Sequence, residues 1–131
     1  MAGAMRKAVL MILLAATSGS AAADWVWVGK NKFGIVYADP ATIRRAGNLV
    51  RMWDMSDYKA TQTVGGKPYL SMRTQYEYDC DKDRSRLLEL FAHPENMAGG
   101  EAVYSEVNPR NWRPNPPDSG IARLWKFACE K

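Results

Sequence analysis

The sequence predicts an α+β domain in which about six hairpin-connected strands carry one C-terminal helix tethered to the sheet by a disulfide. Three observations carry this reading. Residues 69–80 alternate, with Leu70, Met72, Thr74, Tyr76 and Tyr78 on one face and Ser71, Arg73, Gln75 and Glu77 on the other, the period of a half-buried strand. Ile121, Leu124, Trp125, Ala128 and Cys129 recur at helical spacing. The chain has two cysteines: Cys80 at the inward parity of the alternating strand and Cys129 on the helical stripe.

The N-terminus sets the compartment. Arg6 and Lys7 precede the apolar run Ala8–Ala16, and Ala21-Ala22-Ala23 offers a small-residue cleavage site, which together read as a secretory signal peptide over residues 1–23. The run is too short for a spanning helix, which needs roughly 20 residues. No cysteine lies near the cleavage region, so lipid attachment there is not expected, and the mature chain, 24–131, has no transmembrane segment. Those 108 residues suffice for one domain. Losing Arg6 and Lys7 lowers the net charge from +4 to +2, and the spread of the arginines argues against nucleic acid as a partner. In an oxidising compartment the even cysteine pair Cys80 and Cys129 reads as a disulfide.

Each element follows from local signals. Strands are expected near 25–28, 33–38, 49–58, 67–80, 84–92 and 102–107, separated by turn residues at Gly29–Lys32 and Val64–Lys67. Asp39-Pro40 reads as a helix cap with proline at the first helical position, and "PATIRRAG" as one short helical turn stopped by Gly47. The final helix is expected near 119–129, capped by Asp118 or Ser119.

Asp79, Asp81 and Asp83 around Cys80 match the first three ligand positions of a calcium loop. The sixth position, where such loops need glycine, is Arg84, and the twelfth, where they need glutamate, is Leu90. A solvated acidic turn is the reading, with no metal and no cofactor. Zinc would require Cys80, Cys129 and His93 to forgo the disulfide. His93 precedes Pro94 at a strand end without a nucleophile motif, and no glycine-rich phosphate loop is present, so no catalytic residue is assigned. Carboxylate-only chemistry leaves no sequence signature, so a small periplasmic hydrolase or enzyme modulator using exposed carboxylates stands as the alternative. The candidate partner-binding residues are Arg110, Trp112 and Arg113 in the proline-rich "NPRNWRPNPPDSG", since tryptophan and arginine are the residue types of binding hot spots. The competing reading folds Trp112 back against an edge of the sheet or helix. Trp25, Trp27, Trp53 and Trp125 are expected in the core or in dimer contacts.

The segments "YADPATIRRAGNLVRMW", "GKPYLSMRTQYEYDCDKDRSRLLEL", "PPDSG" and "WKFAC", with Asp39-Pro40, Trp53, Cys80, Trp112 and Cys129 in that order, resemble the surface-adhesin protein E family of small exported bacterial proteins. The resemblance implies an antiparallel six-stranded sheet with a disulfide-tethered C-terminal helix. It also implies a non-enzymatic, adhesin-like binding function, because the family's namesake is a dimeric surface lipoprotein that binds host matrix and serum proteins. The expected partner is therefore a protein, with a homodimer implied in the same way. A chain without a lipid-attachment cysteine is expected to be periplasmic or secreted.

Overall fold

The computed structural model describes residues 23–130. The signal-peptide reading of 1–23 falls almost wholly outside them. Seven strands form one antiparallel sheet: β1 (Val26–Lys30), β2 (Gly34–Ala46), β3 (Leu49–Val64), β4 (Lys67–Asp79), β5 (Arg84–His93), β6 (Tyr104–Glu106) and β7 (Arg113–Pro114). The order is β1-β2-β3-β4-β5-β6, with β7 also paired to β5. Among the described residues one α-helix, α1 (Gly120–Glu130), follows. The α+β expectation holds in its parts, but the chain is mostly sheet. Strands β2 and β3 run well beyond their expected ends, while the strand expected at 102–107 shortens to Tyr104–Glu106.

The largest correction concerns Asp39-Pro40, which starts no helix. β2 continues to Ala46 and pairs with β3 on both sides of an irregularity between Asp39 and Arg44. Asp39 Oδ1 accepts from the Ala41 backbone N–H at 3.2 Å, and the Thr42 hydroxyl donates to the Asp39 carbonyl at 2.6 Å. The same hydroxyl accepts the Trp53 N–H at 2.9 Å. Side chains thus replace the ladder bonds that the extra residues interrupt, as a bulge requires.

Alternation gives the sheet two faces. On the helix face Val36, Ala38, Val50, Met52 and Tyr78 pack against Leu124 and Ala128 of α1, with Ile121, Trp125 and Cys129 partly buried beside them. Cys80 bonds to Cys129 across 5.6 Å between Cα atoms, and Trp125 Nε1–H donates to the Asp79 carbonyl at 2.8 Å. Ser119 caps the helix by accepting the Ala122 N–H at 3.1 Å. The second face is partly covered too, because a 3₁₀ turn at Asn96–Ala98 folds over it. Asp57 Oδ1 accepts from Asn96 Nδ2 at 2.9 Å and Met97 N–H at 2.8 Å, while Ser71 Oγ accepts the Ala98 N–H at 2.8 Å.

β3 backbone crowds β2 at Gly34, where a Cβ would lie 2.0 Å from the Asp57 carbonyl oxygen. Backbone cannot yield as a side-chain tip can, so Gly34→Ala is expected to cost at least about 1–3 kcal/mol. A urea titration of the variant checks this through a lowered midpoint at unchanged slope.

Candidate functional site

The second face carries adjoining rows of acids paired with arginines. Register places Arg51 opposite Glu77, and Glu77 opposite Arg86. Glu77, 5 % exposed, accepts from Arg51 Nε at 2.9 Å and from Arg86 Nε at 2.8 Å. One row further, Asp79 accepts from Arg84 Nε at 3.0 Å and Asn48 Nδ2 at 2.8 Å. Trp112 lies against this row, its ring centroid 4.8 Å from the Arg84 guanidinium and 5.0 Å from that of Arg86. Each arginine is thus held by a carboxylate at one end and stacked on an indole, which fixes its orientation at the surface.

For both acids, burial opposes ionisation but the hydrogen bonds outweigh it. Arg51 and Arg86 hold the Glu77 carboxyl below its ordinary range. Arg84, Asn48 and the backbone N–H groups of Asp81 and Lys82 do the same for Asp79. The expected solvated acidic turn is therefore corrected in part. Asp81 and Asp83 are exposed, but Asp79 is only 2 % exposed because Arg84 and Asn48 close over it. Asp83 also accepts from Asn115 Nδ2 at 2.7 Å. Among the described residues no cluster of three or more His, Cys, Asp or Glu is arranged to hold a metal ion.

The candidate trio of Arg110, Trp112 and Arg113 is not one patch. Trp112 lies against Arg84 and Arg86 on the second face, whereas Arg113 pairs with Ser85 on β5. Arg113 lines a groove of about 230 Å³ with Arg110, Tyr76 and Ile121. Arg110 is bound to Glu106, which also accepts from the Tyr104 hydroxyl at 2.6 Å. The proline-rich loop is anchored rather than loose: Asn115, 7 % exposed, accepts from Ser85 Oγ at 2.6 Å, and its backbone N–H donates to the Asp83 carbonyl at 3.0 Å. Sequence reading missed Arg84 and Arg86 as the partners of Trp112, although their parity with Glu77 and Asp79 was the available signal. Of the remaining tryptophans, Trp125 packs on the core, Trp53 stacks with Phe91 at 6.0 Å, and Trp27 is 58 % exposed on edge strand β1.

Fold and face together define a small, disulfide-tethered sheet protein whose second face carries arginines clamped between carboxylates and a tryptophan. Residues 25–130 match the family model described as Surface-adhesin protein E, and the chain belongs to that family. Its fold is shared with protein E of Haemophilus influenzae, at TM-score 0.62 and 14 % identity over 81 % of this chain and 83 % of that one. A second crystal form of the same protein gives TM-score 0.64 at 14 % identity over 81 % and 87 % of the two chains. Protein E from a non-typeable strain gives 0.59 at 14 % over 81 % and 75 %. At that identity the likeness shows the fold. No curated protein sequence matches the chain. No helix among the described residues is long and apolar enough to cross a membrane.

Proposed function

We propose that this chain is an exported, non-enzymatic binding protein of the bacterial envelope, periplasmic or secreted, with an adhesin-like role. Its protein partner is engaged through the second face. The observation that carries this reading is the Arg84–Trp112–Arg86 stack backed by Glu77 and Asp79. Orientation of the arginines is fixed before binding, so less side-chain entropy is lost when they meet carboxylates on a partner, and the indole supplies apolar area beside them. Family membership supports the adhesin-like reading, and host matrix and serum proteins are the partner class to test. The alternative, a hydrolase built on exposed carboxylates, finds less support. Glu77 and Asp79 are both held toward the ionised form and neither has the raised pKa of a general acid.

Trp112→Ala is the test. Binding to immobilised matrix and serum proteins, followed by surface plasmon resonance, is expected to weaken at least about 10-fold, as for a hot-spot tryptophan. Affinity in the parent chain should also fall as salt rises. The thermal midpoint should drop only by the few degrees that correspond to losing about 1 kcal/mol of cation–π contact. Unchanged binding at unchanged stability would remove this face from the functional account, and a collapse of stability would make Trp112 a structural plug.

A further inference from the structure

At the other end of the same face, Arg73 is held between His93 and two aromatic rings. Its Nε–H donates to His93 Nε2 at 3.0 Å. An arginine nitrogen can only donate, so Nε2 is the lone-pair nitrogen of a neutral imidazole. Nδ1 then carries the proton and donates to the Gly100 carbonyl at 2.9 Å. His93, 5 % exposed, is thereby locked in one tautomer and holds the guanidinium by its inner edge. The guanidinium carbon lies 5.5 Å from the Trp53 ring centroid and 5.2 Å from that of Phe91. Among the described residues no carboxylate pairs with Arg73. Its outer edge, Nη1 and Nη2, has no protein partner there, unlike the outer arginines of the Trp112 stack, which are all paired with acids.

Arg73 belongs to the wall of an open cavity of about 500 Å³, lined also by Trp25, Trp53, His93, Met97 and Asp39. The volume is that of a small-molecule site. Met97 at φ 56° and Ala98 at φ 60° form its rim in the left-handed region, a conformation that costs non-glycine residues free energy. Hydrogen bonds to Asp57 and Ser71 hold the rim there. Asp39, on the same lining, adds a negative charge that a doubly charged anion such as phosphate would meet unfavourably.

We infer that the Arg73 cavity binds a single carboxylate carried on an aromatic or aliphatic body, the carboxylate on the outer edge of Arg73 and the body between Trp25 and Trp53. Free organic acids and polypeptide C-termini share this chemistry. The site lies apart from the Trp112 stack and does not depend on it.

The chain has one histidine, so the imidazole signals of His93 report this cavity in NMR without any substitution. Titration with N-acetyl-L-phenylalanine is expected to shift them saturably. N-acetyl-L-phenylalanine amide should bind at least about 10-fold more weakly, because only the carboxylate makes charge-assisted bonds. A short peptide ending in phenylalanine with a free C-terminus assigns the source: comparable binding points to polypeptide termini, and none points to free acids. Arg73→Lys keeps the charge but loses the two-pronged edge, and should weaken the acid at least about 10-fold while the amide is unaffected. Absence of a His93 response to the acid, equal affinity for acid and amide, or stronger binding of inorganic phosphate would overturn the inference.

Discussion

Replacing Cys80 with serine is expected to lower the stability of the folded chain by about 2–5 kcal/mol, a large part of what a small domain possesses. The bond joins residues 49 apart, and closing a loop of about that size is worth about 4 kcal/mol in the chain-entropy account. The loss should be uneven. α1 is held to the sheet by the disulfide, by Trp125 donating to the Asp79 carbonyl, and by Leu124 and Ala128 in the core. Without the covalent tether, amide exchange should accelerate most in Gly120–Glu130, and least in β3 and β4 at the centre of the sheet. The double variant Cys80→Ser, Cys129→Ser should match the single one. Equal acceleration throughout would mean that helix and sheet unfold as one unit.

The second large effect is a stability that rises on mild acidification. Asp54 lies on the helix face, 2 % exposed, with Thr74 donating to its Oδ1 while Oδ2 has no partner. Burial pushes its carboxyl up from 3.8 to about 7, partly offset by the Thr74 hydrogen bond. A raised folded-state value means the native chain holds this proton more tightly than the unfolded chain does. The stability so gained is fully present below pH 4 and declines as pH rises through 7, by on the order of 4 kcal/mol. Glu77 and Asp79 act oppositely, since their values are lowered. Their contribution is present above the ordinary carboxylate range and is lost as pH falls through it. Maximum stability is therefore expected near pH 5, with a decline toward pH 8, read from urea midpoints across that range. Asp54→Asn should flatten the slope between pH 5 and 8 and exceed the parent chain at pH 8. The Tyr78 hydroxyl is also buried without a partner, so Tyr78→Phe should be neutral or stabilising. A parent chain whose midpoint does not fall from pH 5 to 8 would show that Asp54 ionises in the folded state without penalty.

The frame was legible where one periodicity ruled. The parity of Tyr69 to Cys80 placed Cys80 with the apolar side chains, and the stripe from Ile121 to Cys129 faced it, so the disulfide and the docking of the helix followed from two simple patterns. Asp39-Pro40 misled because a carboxylate accepting the N–H two residues on serves a bulge as well as a helix cap. Cross-strand pairing with β3, invisible locally, decided between them. Asp79 was put on the correct face but read as solvated, since parity says which way a side chain points and not what folds over it. Asp54 was legible in principle: it shares parity with Met52 on the apolar face, and a carboxylate at such a position signals a buried acid. The Arg73 cavity was not, because it needs β3, β4, β5 and the turn after β5 brought together.

The strand order also dictates how the molecule is put together. Every strand of the path pairs with the one just before it, so a chain delivered N-terminus first can add hairpin to hairpin without waiting for a distant segment. Long-range closure, the slow entropic step, is left to α1 and Cys129 at the far end. Cys80 therefore stands as a lone thiol at the end of β4 until Cys129, 49 residues further on, has been delivered, and the covalent tether is among the last contacts the fold can make. A chain interrupted between β7 and Cys129 would carry its whole sheet together with one unpaired sulfur.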